Sequence, residues 1–196
     1  MSRTTTMLIV LGVLLLVVVG FPLIWYFGTY NSLLGSRVNT EAKWSEVQNQ
    51  YQRRYDLIPS LVNSTKIYIN YETNLLKSIT EARSQWGASL SQSVEKQMEA
   101  QGTLDSVMSR LLMVVSVENY PELKGDQVVM TLMDELAGTN NRIAVARMRY
   151  IESVQGYNTA IQMFPNNIVA GMSGFLPKPN YSADVLAQTA PKVPVS

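Results

Sequence analysis

The side chains best suited to chemistry in this sequence are arginines in two groups, Arg53-Arg54 and Arg142, Arg147 and Arg149. A guanidinium presents a rigid fork of N–H donors, so two or three of them converging would capture an anion or an acidic partner. The same spacing also permits internal pairing. Asp56 lies one helical turn beyond Arg53, and Glu152 one turn beyond Arg149, both close enough to neutralise them. Arg54 falls among apolar positions, so a core partner such as Glu72 or a backbone carbonyl is expected, with its stem covering apolar surface. Arg53, Arg54, Arg142 and Arg147 are the candidate contacts for an anion or acidic partner, and internal pairing is the alternative.

Other chemistries lack their parts. The chain has no histidine and no cysteine. A Ser-His-Asp triad, a Cys-His dyad, a His-ligated zinc and a di-iron site built on Glu-x-x-His are therefore not expected. No Walker lysine loop or GxGxxG occurs. An all-oxygen site from Asp134-Glu135, or from Glu41 with Glu46, reads more simply as solvated helix faces. No catalytic residue, metal or cofactor is assigned. Sixteen basic residues against fifteen acidic ones leave no global field for nucleic acid. Tyr51, Tyr55, Tyr68, Tyr71, Tyr150 and Tyr157 read as packing with the hydroxyl at an edge rather than as a base-stacking surface.

The elements that must carry these side chains are helices. From about residue 36 to 87, Val47, Tyr51, Ile58, Leu61, Thr65, Tyr68, Leu75, Ile79, Ala82 and Trp86 form one stripe at helical spacing, interrupted by Arg54 and Glu72. Pro59 sits inside it and is expected to kink or divide the helix. Gly87 and the serine-rich run 89–93 mark its end. A second stripe is Val94, Met98, Leu104, Met108, Leu111, Leu112 and Val115, ending at Asn119-Tyr120-Pro121. A third is Leu132, Leu136, Ile143, Ala146, Tyr150, Val154, Tyr157, Ile161 and Phe164, ending at Pro165. Period-two alternation is missing, so strands are not supported. The fold expected is all-α: an N-terminal transmembrane helix, then an antiparallel bundle of three long helices plus short helical pieces. The first helix outruns the second, so residues 36–58 need another cover, either copies of the chain or its own C-terminal segment.

Met7 to Phe27 carries no charge and consists almost wholly of aliphatic, glycine and aromatic residues. Twenty-one residues at about 1.5 Å each match a bilayer core of about 30 Å. The run is longer than a signal-peptide core, and no small-x-small cleavage site follows it. Trp25, Tyr26 and Tyr30 fall at its end, where amphipathic rings favour the headgroup level. The boundaries read 1–6 as a short tail, 7–27 as the membrane helix, 28–170 as the bundle and 171–196 as an extended or disordered tail. Near that tail, only the short apolar group Ile168-Val169-Ala170, just before it, looks able to dock on the bundle. Residues 28–31 lack a proline- or serine-rich linker, so the membrane helix is expected to run directly into the bundle as a stiff stalk. Arg3 and the α-amino group before the span and Arg37 and Lys43 after it nearly balance; the reading taken is N-terminus inside, domain outside.

Several short motifs then occur in order. They are Gly28-Thr29-Tyr30-Asn31, the run from Trp44 to Arg54, Leu57-Ile58-Pro59, Thr80-Glu81-Ala82-Arg83, Tyr120-Pro121-Glu122-Leu123-Lys124, the run from Asn141 to Arg147, Tyr157-Asn158 and Phe164-Pro165. Their order and spacing resemble the bacterial LemA family over residues 8 to about 170. That resemblance implies one membrane helix, a four-helix-type bundle with long antiparallel helices, and no established enzymatic activity. Its magnetosome relatives hint at membrane organisation. The sequence departs from the family at Ser60 and at Ile151, where asparagine is usual. Any buried hydrogen bond from those asparagines would be absent or replaced.

The function expected is a non-catalytic, membrane-anchored scaffold or adaptor of the bacterial envelope, at the inner membrane. Its partners would be the lipid bilayer, copies of itself or another envelope protein, and not nucleic acid. The alternative is a sensor that binds an anion or acidic partner through the arginines.

Overall fold

A computed structural model describes residues 3–66, 73–116 and 125–181. They form five helices: α1 (Arg3–Thr65), α2 (Thr73–Ser89), α3 (Val94–Ser116), α4 (Gln127–Gln162) and α5 (Asn166–Ser173). The fold is all-α, with no strand among the described residues. Two compact units make it up, and α1 and α4 contribute to both.

The first unit comprises Met1–Ala42 and Glu152–Lys178. Here α1 begins with the apolar run, whose large side chains from Met7 to Phe27 are mostly exposed. It is the one described helix long and apolar enough to cross a membrane, and none of its apolar window is buried inside the protein. The helix continues through 28–31 without a linker, as expected. Below the apolar run it meets the last turns of α4. Leu33, Tyr157, Ile161, Val169, Ala170 and Phe175 form one buried cluster. Thr40 Oγ1 donates to the Ser153 carbonyl at 3.3 Å. Because Thr40 meets Ser153 while Leu33, earlier in α1, clusters with Tyr157 and Ile161, later in α4, the two helices run antiparallel. With Ile168 exposed, α5 closes the cluster with Val169 and Ala170, two of the three residues expected to dock. It ends at Gly174, whose φ of 70° is the left-handed conformation a C-cap requires.

The second unit comprises Lys43–Ile151 and Pro179–Ser196. α2 and α3 pack together as a hairpin across the short loop at 90–93. The stripes predict its core well: Val47, Tyr51, Ile58, Leu61, Thr65, Leu75, Ile79, Ala82 and Trp86 are all buried. Asp126 starts α4 by accepting the amides of Val128 and Val129 at 2.9 and 3.2 Å, an N-cap.

Four expectations change. α1 is not divided at Pro59; it runs on to Thr65, and the second half of the long stripe is a separate helix, α2. Tyr68, Tyr71 and Glu72 lie outside the described residues, as do the Tyr120-Pro121 turn and residues 182–196. In α3 the buried positions at its start are Gln97, Ala100 and Gln101, with Val94 and Met98 only half-buried. Gln97 Nε2 satisfies itself by donating to the Gln92 carbonyl at 3.0 Å, and its Oε1 accepts from Gln48 Nε2 at 2.7 Å. Phe164, which the third stripe placed in the core, is 80% exposed, because α4 stops at Gln162 and the chain turns before reaching it.

Candidate functional site

The second unit places the chemistry-bearing residues in one partly buried network. α1 supplies Tyr51 and Arg54 one turn apart, α3 supplies Gln101 and Asp105, and α4 supplies Asn140 and Arg147. Arg54 is only 4% exposed. Its Nη1 donates to Asp105 Oδ1 and its Nη2 to Asn140 Oδ1. Arg147 Nη2 donates to Asp105 Oδ2 at 2.6 Å and also to the Tyr51 hydroxyl. The Tyr51 hydroxyl in turn donates to Asp105 Oδ2 at 2.8 Å. One carboxylate thus binds two guanidinium groups and a phenol, joining α1, α3 and α4.

Aromatic rings complete the setting. Arg54 and Arg147 each lie 5.3 Å from the centre of the Tyr51 ring, and Arg147 lies 4.7 Å from that of Tyr181. Tyr181 donates its hydroxyl to Gln101 Oε1, so the segment after α5 reaches back to α3. An oxygen of a glutamine side-chain carbonyl only accepts, so the Tyr181 hydroxyl is the donor. Tyr150 donates to the Pro179 carbonyl at 2.8 Å and stacks obliquely on Trp44 at 5.1 Å. Burial pushes Tyr51 well above the ordinary phenol range, with the Asp105 charge adding to it. Burial, and then Glu95, pushes Tyr150 up to about 12. Both phenols keep their protons at neutral pH and can donate as drawn. For Arg147 burial alone would lower the pKa, but the neighbouring Tyr51 and Asp105 outweigh it and raise it.

Arg54, Asp105, Asn140 and Arg147 border a cleft of about 260 Å³, together with Met108, Ser109, Ile143 and Ala144. The Nε atoms of Arg54 and Arg147 are buried without a hydrogen-bond partner among the described residues. Two positive charges against one negative leave the network with a formal excess of one. Asp105 already stands between the guanidinium groups, however, in the place an anion would take.

The four candidate arginines therefore separate. Arg54 and Arg147 come together on Asp105. Arg53 points elsewhere: its Nη2 donates to Glu135 Oε1 at 2.7 Å on the exposed side, and Asp56 accepts instead from Gln52. The local Arg53–Asp56 pairing is thus replaced by a cross-helix one. Arg142 borders a second cleft, of about 490 Å³, with Asn49, Gln50, Asn141, Arg149 and Glu46. Its Nη2 lies 3.4 Å from Thr139 Oγ1, and Arg149 Nη1 lies 3.8 Å from Glu46 Oε2. Three of the four carboxylates considered for an oxygen site are engaged with cations: Glu135 with Arg53, Glu46 with Lys43, and Glu41 with Arg37 and Lys178. No group of three acidic residues gathers among the described residues.

Asp105, Asn140, Gln101 and Tyr181 were not foreseen. Arg54 on an apolar stripe did signal that a buried partner must exist. All three acidic residues of α3 adjoin the stripe, Glu95 beside Val94, Glu99 beside Met98 and Asp105 beside Leu104, so adjacency did not single out Asp105. Nothing comparable marks Tyr181. Ser60, where the resemblance leads to the expectation of asparagine, is exposed, so no buried hydrogen bond is lost there.

In the first unit, Trp25, Tyr26 and Tyr30 are half-buried against the Leu33 cluster. The Tyr26 hydroxyl lies 3.0 Å from Ser173 Oγ, and Tyr30 meets Phe175 edge-on at 5.6 Å. Residues 174–178 are irregular but held: Tyr157 donates to the Leu176 carbonyl, Asn158 bonds both backbone groups of Lys178, and Lys178 Nζ reaches Glu41 at 2.8 Å. Leu33 and Thr40 of α1 in this unit, and Trp44 in the other, are thereby buried within the chain by α4 and the segment after α5, while Leu34 and Val38 stay exposed.

The sequence model of the LemA family matches residues 43–194. Magnetosome protein MamQ 2 of Paramagnetospirillum magneticum is 25% identical over 170 residues, covering 74% of this chain and 62% of that protein. Magnetosome protein MamQ of Magnetospirillum gryphiswaldense is 24% identical with the same coverage. Protein LemA of Metamycoplasma hominis is 24% identical over 145 residues, covering 74% of this chain and 65% of that one. The chain thus spans less than two thirds of the length of these relatives.

Proposed function

The chain belongs to the LemA family, and on that premise we propose that it is a non-catalytic, membrane-anchored helical scaffold or adaptor of the bacterial cell envelope. The observation that carries this reading is the engagement of its charged core: Arg54, Arg147 and Tyr51 are spent on Asp105, tying three helices together. With Arg54 buried and Asp105 and Arg147 each about a quarter exposed, we read the cluster as setting how the three helices pack. Two further features support it. The sequence offers no histidine or cysteine for a nucleophile-and-base constellation. The apolar start of α1 passes without a linker into the helix of the first unit, as suits a rigid presentation from a membrane.

Binding is assigned to copies of the chain or to another envelope protein, with the domain on the outer side of the inner membrane. Self-association through the apolar stripe of residues 36–58 loses part of its motive, since Thr40, Trp44, Val47, Tyr51 and Ile58 are buried within the chain; exposed Val38, the outer helix faces and the membrane helix itself remain available to it. In-membrane cross-linking of the full chain, followed by pulldown, tests the reading. Self-contacts or a stable envelope partner are expected, and finding neither contradicts it.

The sensor reading keeps one specific support, the cleft beside Arg142 and Arg149, where Glu46 is 3.8 Å from Arg149. The Arg54–Arg147 cleft no longer favours it, because Asp105 holds the anion's place. Titrating the chain with inorganic phosphate or an acidic peptide, with Arg142→Met as the comparison, separates the two readings.

A further inference from the structure

The end of the first unit that meets the apolar run of α1 is itself apolar on its outer side. Phe164 is 80% exposed, Leu176 75% and Met172 74%, and Met163 and Ile168 are exposed with them. On α5 the residues Ile168 and Met172, one turn apart, face outward while Val169 and Ala170 face the cluster. This helix is therefore apolar on both sides, whereas a helix packed on a soluble domain keeps a polar outer face.

Its position identifies what covers that face. Ser173 at the end of α5 lies 3.0 Å from the Tyr26 hydroxyl, within the last turn of the apolar run. α4 runs antiparallel to α1 here, so its end and the Met163–Pro165 turn point toward the apolar end of α1. Charge is distributed accordingly. No charged residue occurs between Arg3 and Arg37, nor between Glu152 and Lys178. The first charges on both segments meet each other, Arg37 and Lys178 on Glu41, at 3.2 and 2.8 Å. From Tyr26 to Arg37 the helix rises about 16 Å. The charged collar thus stands clear of a headgroup layer that extends only about 5–8 Å beyond the hydrocarbon, while α5 sits level with it.

We propose that the Met163–Pro165 turn, the outer face of α5 and Leu176 form a second membrane contact, immersed in the interface of the bilayer that α1 crosses. The inference rests on the anchor reading of α1. It makes the base of the domain an interfacial wedge, held at fixed height and unable to swivel freely about its anchor. Half-buried Trp25 and Tyr26 then serve two surfaces, lipid on one side and α5 on the other.

The sequence has no cysteine, so single-cysteine variants of the full chain can each carry one bimane label. Phe164→Cys and Met172→Cys probe the wedge, Val17→Cys probes the span, and Ser91→Cys in the exposed α2–α3 loop gives the solvent reference. Each is reconstituted in phosphatidylcholine vesicles containing a lipid with an acyl-chain nitroxide, and iodide serves as the aqueous quencher. The proposal expects nitroxide quenching at residues 164 and 172 and iodide quenching several-fold weaker there than at residue 91. Quenching by nitroxide at residue 17, with residues 164 and 172 as open to iodide as residue 91, overturns the wedge and leaves the anchor standing. Shielding of 164 and 172 from both quenchers means that protein, such as a second copy, covers the face, and this also overturns it. No nitroxide quenching at residue 17 overturns the anchor and the wedge with it.

Discussion

Asp105 carries more of the second unit than any residue the sequence singles out. It balances two guanidinium groups, and the network around it holds one excess positive charge. Asp105→Asn would raise the excess to two with no buried counter-charge. That is the costly way to break a buried pair, and a loss of about 3–5 kcal/mol is expected by chemical denaturation. Arg54→Met instead leaves Arg147 and Asp105 paired and the network neutral. It should cost about 1 kcal/mol, chiefly the hydrogen bond to Asn140. If the two variants are equally destabilised, charge balance is not what the cluster supplies. Arg54 was legible as a core arginine from its place on the stripe. Asp105 was not, because a helical stripe shows which face is buried and not which residue of a distant helix faces it. A second residue-scale prediction concerns Glu41. The hydrogen bond from Lys178 chiefly lowers its pKa from 4.5, against the opposing effect of burial. A lowered folded-state pKa gives stability that is present above 4.5 and is lost as pH falls through the folded value. The gap in thermal midpoint between the wild type and Glu41→Gln should therefore be widest near neutral pH and close below the carboxylate range. A gap independent of pH would mean the Lys178 contact is not formed.

At the scale of elements, stripes gave the buried faces and failed at the ends. Pro59 does not divide α1, and the helix boundary falls beyond Thr65 instead. A proline removes one intrahelical donor and opposes its carbonyl partner, but Ile58 and Leu61 on either side of it are fully packed, and that packing keeps the helix together. Phe164 continues the α4 stripe by spacing, yet α4 ends before it, so its side chain faces out. The missing information was tertiary: where the cluster around Tyr157 stops. The apolar start of α1 was legible from composition alone, and it makes its own prediction. Leu15 and Val18 are exposed on it. Leu15→Arg with Val18→Arg places two charges near the centre of the span, at about 2.5–3.5 kcal/mol each. Retention of the full chain in membranes after an alkaline carbonate wash should fall sharply for this variant and stay complete for the wild type. Equal retention would argue that another part of the chain holds it there.

For the whole molecule, the two units divide the work. The first brings together the apolar run, α5 and the charged collar of Arg37, Glu41 and Lys178. The second carries the ion network and both clefts. Membership of the LemA family and the all-α bundle were both legible in the sequence, the first from ordered motifs and the second from periodicity. The segment after α5 was harder to read. Residues 174–181 have no periodicity, yet Lys178 and Tyr181 each make a side-chain contact across their unit; isolated long-range bonds leave no pattern along a chain. If the protein is a scaffold, its working form is an assembly. The most direct test is the mass of the full chain extracted in mild detergent, corrected for bound detergent. The account predicts a multiple of the 21.9 kDa protomer, or the protomer with a stoichiometric envelope protein. A single protomer alone, at every concentration measured, would contradict it.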